Sequence, residues 1–221
     1  MNEPEKEVNF CPLCNGVGLS FFHQDRYRSY LQCSACSLIF VPVSERLNPA
    51  EEKGRYDLHR NSPDDINYRK FLSCVFIPMQ KLIAPKSRGL DFGSGPGPTL
   101  SLMFKEAGHR MSIYDCYYND DVSVFENLYD FITASEVAEH LFEPGKEINR
   151  LWSCLKPGGY MGIMTKLVPE NSEFASWHYK NDSTHVCFFN KSTFEWLAEN
   201  MKAGLNFTDK DVIILQKTNL L

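Results

Sequence analysis

Residues 85–221 alternate short apolar runs with segments of helical spacing. Leu90-Asp91-Phe92 reads as the end of a buried strand. Thr99–Ala107 reads as a helix, with Pro98 at its first position and Gly108 as its stop. His109–Asp115, Tyr129–Ser135 and Tyr160–Thr165 read as further strands. Glu147–Leu155 forms a helix that ends in an abrupt turn, Leu155-Lys156-Pro157-Gly158-Gly159. A last helix covers Ser192–Asn200, with Ser192 as cap and Glu195 closing a capping box. Gly204–Phe207 and Asp211–Gln216 form an antiparallel pair. Strands alternating with helices predict an α/β fold. Upstream, Tyr68, Phe71, Leu72 and Val75 repeat at i, i+3, i+4 and i+7, which makes one apolar helix face. That helix is predicted to start at Ser62-Pro63-Asp64-Asp65, with Ser62 as cap, and to bend or end at Pro78. Ser44–Lys53 is a polar linker with a short helix. Phe21–His23, Tyr30–Gln32 and Ile39–Val41 read as three short strands.

Length changes this picture little: 221 residues hold one α/β domain and a small appendage. The expected division is residues 1–50 as a small N-terminal module, 51–84 as a helical linker or lid, and 85–221 as the main domain. The net charge of −5 gives no footprint for bulk nucleic acid or an anionic membrane. No apolar run approaches the ~20 residues that span a bilayer. The start, Met-Asn-Glu-Pro-Glu-Lys-Glu, is unlike a secretory signal. The chain is therefore expected to be soluble and cytoplasmic, without a membrane partner.

Four of the eight cysteines come as two Cys-x-x-Cys pairs, Cys11/Cys14 and Cys33/Cys36, separated by 18 residues. This spacing matches a four-cysteine zinc site on a ribbon of short strands. Two disulfides or a redox pair are the alternatives, and a reducing compartment disfavours disulfides. A closed four-thiolate site is structural. The other cysteines, Cys74, Cys116, Cys154 and Cys187, are scattered and read as buried small apolar residues.

The candidate chemistry centres on Gly89-Leu-Asp-Phe-Gly-Ser-Gly-Pro-Gly-Pro98. A strand, a glycine turn and a helix start together make a site for a nucleotide-like ligand. Pro98 stands where the dinucleotide fingerprint would have its third glycine, which disfavours an NAD-linked oxidoreductase. Asp115, about 20 residues further on at a strand end, suits ribose hydroxyls. Cys116, Tyr117 and Tyr118 follow it and could flank an adenine.

Asp91-x-Gly93-Ser94-Gly95-x-Gly97 resembles motif I of class I S-adenosylmethionine-dependent methyltransferases. Ser135-Glu136-Val-Ala-Glu139-His140 resembles the segment after their fourth strand, and Leu155-Lys-Pro-Gly-Gly159 the start of their fifth. The resemblance implies a Rossmann-like seven-stranded sheet with helices on both faces, completed by the two last strands, beside the zinc ribbon. It implies S-adenosylmethionine as cofactor, S-adenosylhomocysteine as product, and methyl transfer to a small acceptor by direct displacement. Asp91, Gly93, Ser94, Gly95, Gly97, Asp115, Cys116, Ser135 and Glu136 would meet the cofactor, with Ser135 and Glu136 near its methionine end. Tyr68 or His59 would act from a lid. Thr184-His185-x-x-x-Phe189 is similar to a segment in small-molecule methyltransferases. His185 is the candidate general base, followed by His178 and Asp182. His140 could be catalytic, bind a metal or orient its loop. A non-catalytic adaptor, or a macromolecule-modifying enzyme docked through its zinc ribbon, is the competing reading.

Overall fold

The computed structural model describes residues 10–57, 62–169 and 173–218. His59 lies outside the described residues. The chain begins with β1 (Leu19–Gln24), β2 (Ser29–Cys33) and β3 (Ile39–Phe40), then α1 (Pro49–Tyr56) and α2 (Ile66–Leu82). The alternating part follows as β4 (Arg88–Phe92), α3 (Thr99–Glu106), β5 (Arg110–Tyr114), β6 (Tyr129–Ser135), α4 (Pro144–Ser153) and β7 (Leu155–Met164). It closes with β8 (Cys187–Phe188), α5 (Lys191–Met201), β9 (Ala203–Asp209) and β10 (Val212–Lys217).

The main sheet has the order β5-β4-β6-β7-β10-β9. The first four strands are parallel, β10 runs antiparallel beside β7, and β9 antiparallel beside β10. Period-two alternation sends side chains to two separate cores. Ile132, Ile213 and Leu215 face the core that contains Ile148 and Leu151 of α4 and Phe194 and Leu197 of α5. Phe131, Val212 and Ile214 face Leu72, Val75 and Met79 of α2 and Phe104 of α3. Helices on both faces are thus written into single strands.

Among the described residues the sheet has six strands, not the expected seven. Only residues 115–128 join β5 to β6, and they contain one short 3-10 turn, Val122–Glu126. A parallel crossover takes at least ~10–12 residues. One crossover fits in this stretch, but a further strand with a second crossover does not.

Four local expectations also move. Helix α2 starts after Asp65, whose side chain accepts the amides of Asn67 and Tyr68, while Ser62 forms a turn before it. Pro78 lies inside the helix. Helix α5 is capped by Asn190, which accepts the Thr193 amide at 2.9 Å, and Ser192 already lies within the helix. The Lys156–Gly159 turn is a bulge inside β7: two steps along β6 face five along β7.

The N-terminal sheet has the order β1-β2-β3-β8, so it recruits a strand from the far end of the chain. The β3–β8 pairing joins Ile39 to Phe188 and Phe40 to Cys187. Arg28, buried at the β2 entrance, donates to the carbonyls of Lys180 (2.6 Å), Asp182 (2.7 Å) and Ser183 (3.1 Å). The segment before β8 is thereby held against the N-terminal sheet.

Candidate active site

The turn after β4 hangs on the end of β5. The amides of Gly93 and Ser94 both donate to the Tyr114 carbonyl, at 2.8 and 3.1 Å. Gly93 (φ +70°) and Gly95 (φ +62°) adopt the left-handed conformation that favours glycine. A Cβ on Gly93 would collide with the Val137 side chain, whereas a Cβ on Gly95 would meet open space. The open side of this turn borders a cavity of about 570 Å³ at the carboxyl ends of the strands. That is the usual ligand position in an open α/β sheet, and the size suits a small ligand.

Of the expected cofactor residues, Tyr68, Gly93, Ser94, Gly95, Asp115, Cys116, Ser135 and Glu136 line this cavity. Asp91 and Gly97 do not. Asp91 is buried beneath the turn, where Thr133 Oγ1 donates to it at 2.9 Å. Burial, reinforced by the charge of Asp115, pushes its carboxyl up to about 7. The Gly97 carbonyl is used by the Thr99 amide at 2.7 Å, so it closes the turn.

Asp115 is nearly buried and accepts three amides: Gly95 at 2.8 Å, Tyr117 at 2.9 Å and Tyr118 at 3.1 Å. Glu52, a buried carboxylate on α1, accepts from Tyr117 Oη (2.7 Å) and Tyr56 Oη (3.1 Å). Asp57 accepts from Tyr118 Oη at 2.8 Å. Helix α1 therefore roofs the cavity on one side. Sequence reasoning missed Glu52. The Asn48/Glu51 capping box marks the start of α1 but not what its next residue faces.

The cavity wall also carries His140, His185, Asp182 and Glu136, and the Tyr56 ring of α1 lies 5.2 Å from that of His140. His185 is buried; its Nδ1 lies 2.7 Å from the Tyr179 carbonyl and its Nε2 3.9 Å from Asp182 Oδ2. Burial and the neighbouring His140 hold this imidazole below its ordinary range. His140 Nδ1 lies 3.2 Å from the Thr184 carbonyl, and the two histidine rings are 4.7 Å apart. Glu136 has a left-handed backbone (φ +53°), and burial plus the Glu139 charge pushes its carboxyl up to about 8. His178 is absent from the cavity wall: its Nε2 lies 3.2 Å from Lys166 Nζ, outside the site.

The residues fit a polar, nucleoside-bearing cofactor. Ser94 and Ser135 line the cavity, and their hydroxyls are buried with no partner among the described residues. Orphaned buried hydroxyls are costly unless a ligand satisfies them.

The four N-terminal cysteines lie together with no disulfide. Cys11 and Cys36 sulfurs are 3.4 Å apart, and those of Cys14 and Cys33 3.5 Å. A tetrahedral zinc with Zn–S near 2.3 Å spaces its sulfurs by about 3.8 Å. The cluster is geometrically compatible with zinc. The first knuckle also docks on the main domain, where the Gly145 amide of α4 donates to the Pro12 carbonyl at 3.2 Å.

Residues 45–209 match the methyltransferase domain family. No curated protein matches the chain. Among solved structures, the fold is similar to Burkholderia thailandensis 1,6-didemethyltoxoflavin-N1-methyltransferase, which was solved with 1,6-didemethyltoxoflavin and S-adenosylhomocysteine. The two are 15% identical over 90% of this chain and 99% of that one, with a TM-score of 0.52. Haemonchus contortus phosphoethanolamine N-methyltransferase 2 is 15% identical over 72% of this chain and 47% of that one, also at 0.52. With the family match covering most of its length, this chain belongs to the methyltransferase domain family and is an S-adenosylmethionine-dependent methyltransferase.

Proposed function

We propose that the enzyme methylates a small molecule held in the cavity between the glycine turn and His185. The observation that carries this reading is that Ser94 and Ser135, which line a cavity of about 570 Å³, have buried hydroxyls with no partner among the described residues. A space of this size suits a small acceptor beside a nucleoside. The small heterocycle bound by the Burkholderia enzyme supports the same acceptor class.

In this reading Gly93, Ser94 and Gly95 meet the cofactor through backbone and hydroxyl groups. Asp115 and Cys116 meet its ribose and adenine end, Ser135 and Glu136 its methionine end, and Tyr68 covers it. Asp91 and Gly97 act indirectly, by shaping the turn. S-adenosylmethionine supplies an electrophilic methyl group. The protein aligns the acceptor with it and excludes water. At the acceptor end, His140 and His185 present ring nitrogens to the cavity, and Asp182 lies beside them.

Cys11, Cys14, Cys33 and Cys36 hold a structural zinc in this proposal, which suits a reducing, cytoplasmic compartment. Residues 1–50 are the zinc module, 51–84 the helical linker or lid, and 85–221 the methyltransferase domain.

Calorimetric titration of zinc-assayed protein with S-adenosylhomocysteine, using NAD as control, tests the cofactor assignment. Micromolar binding of the first and none of the second is expected. Loss of that binding in a Ser94→Val, Ser135→Val double variant is also expected. Retention of full affinity in the double variant would remove the observation on which the reading stands.

A further inference from the structure

We propose that Glu139, His140 and His185 form a second, sulfur-free site for a divalent transition-metal cation at the acceptor end of the cavity, and that this cation takes an oxygen of the acceptor. The acceptor part rests on the methyl-transfer reading above; the metal site stands on its own geometry.

One donor atom from each residue lies within 4.8 Å of the others. The tautomers are set by what the opposite ring nitrogens face. His140 Nδ1 and His185 Nδ1 each point at a backbone carbonyl, of Thr184 at 3.2 Å and of Tyr179 at 2.7 Å. A carbonyl only accepts, so both Nδ1 atoms carry the proton and both Nε2 atoms keep a lone pair. A histidine that donates its other N–H to a backbone carbonyl has the arrangement of an oriented metal ligand.

Glu139 supplies the independent observation. It is fully buried. Its Oε1 accepts from Tyr179 Oη, while its Oε2 is buried with no partner among the described residues. A bare buried carboxylate oxygen is expensive unless it is paired or bound to a metal. A cation bound between the Glu139 carboxylate and the two imidazoles would satisfy all three groups.

The three residues come from two places held together by backbone bonds. Glu139 and His140 lie on the 3-10 turn Ala138–His140 after β6. The Val186 amide donates to the Glu139 carbonyl at 2.8 Å, which brings His185 alongside. Arg28 pins the preceding carbonyls to the N-terminal sheet. His140 and His185 line the cavity, with Glu139 behind them. A cation there would be held from the protein side and open toward the acceptor.

Two imidazoles and one carboxylate suit Mn²⁺, Fe²⁺, Co²⁺ or Zn²⁺, and three protein ligands leave coordination positions free. The matching acceptor is a hydroxyl compound. Bound to the cation, its O–H loses a proton to solvent water. The oxygen then forms a bond to the methyl carbon while the carbon–sulfur bond breaks, and the bonding pair stays on sulfur. His185 is a ligand in this arrangement, not the base.

The test is a Mn²⁺ titration of zinc-replete protein, with free Mn²⁺ followed by electron paramagnetic resonance. One Mn²⁺ per chain is expected. His185→Ala and Glu139→Gln should each weaken Mn²⁺ binding by about 100-fold, with zinc content and S-adenosylhomocysteine affinity unchanged. His140→Gln serves if either variant fails to fold. No stoichiometric Mn²⁺ in the wild type overturns the proposal. So does binding that survives in these variants, or that disappears only in Cys33→Ser. S-adenosylhomocysteine calorimetry on the same sample separates the two ideas. Binding of the nucleoside without Mn²⁺ removes only the metal site, and Mn²⁺ without the nucleoside removes only the cofactor assignment.

Discussion

The Gly95 amide donates to Asp115 Oδ2 at 2.8 Å, so the tip of the glycine turn after β4 is tied to the residue that ends β5. Asp115 also gathers the amides of Tyr117 and Tyr118, and one carboxylate thereby shapes both walls at this end of the cavity. Asp115→Asn sets an N–H₂ group against amides that need acceptors. It should cost about 1–3 kcal/mol of stability and lower S-adenosylhomocysteine affinity at least tenfold by calorimetry. Affinity within twofold of wild type would dismiss Asp115 as a cofactor residue.

The two left-handed glycines are expected to differ. At Gly95 an added methyl meets nothing, so Gly95→Ala carries only the conformational cost, about 1–2 kcal/mol. At Gly93 the same methyl also collides with Val137. Gly93→Ala should therefore be the less stable variant in thermal unfolding, and adding Val137→Ala should restore part of the loss. Equal melting temperatures for the two single variants would rule out the Val137 contact as the cause.

Asp91 gives a pH dependence of known sign. Burial raises its carboxyl to about 7 in the folded chain, against about 3.9 when unfolded. Between those values the folded state holds a proton that the unfolded state has lost, so this group's stabilising contribution is present below about pH 4 and fades as pH rises toward 7. Asp91→Asn keeps an acceptor for Thr133 and removes the titration. Urea unfolding at pH 5 and pH 8 should show the variant gaining on wild type at the higher pH. A constant difference between the two pH values would contradict the assignment.

Arg28 satisfies three carbonyls at once from a buried position. Lysine offers a point charge and cannot reproduce that fork. In Arg28→Lys, hydrogen exchange should speed up across amides 178–186 while the glycine turn at 93–97 stays protected. Unchanged exchange at 178–186 would mean that the clamp does not hold this segment.

If the four cysteines hold the proposed zinc, its removal should be felt far from them. Among the described residues strand β8 pairs with β3 alone in the N-terminal sheet, and zinc ribbons draw folding energy from their metal. Chelation should raise exchange at Cys187 and Phe188 and lower the melting temperature. A cysteine cluster without structural metal would show neither effect on chelation.

Much of the site was legible because its signals are local. Gly93, Ser94, Gly95 and Asp115 belong to one strand–turn–helix–strand stretch, and spacing along 23 residues is enough to read them. Cys11, Cys14, Cys33 and Cys36 come as two tight turns whose spacing carries the chemistry. Glu52 was not legible, because nothing around it in the chain reveals that Tyr117 lies opposite. His178 and His185 look alike in sequence, seven residues apart, yet one faces Lys166 outside the site and the other the cavity.

By itself, the sequence determined the alternation of strands and helices in the main domain, the glycine turn, the acid just after β5 and the grouping of the four N-terminal cysteines. Each depends on backbone preference or side-chain spacing within about one turn or strand. The tertiary structure alone decided that Asp91 supports the turn from beneath, because burial depends on what packs above it. It also set the sheet at six strands, because the length of one connection limits what can be threaded. And it brought Glu139 against His185, 46 residues later, because the Val186 amide bonds across that gap to the Glu139 carbonyl.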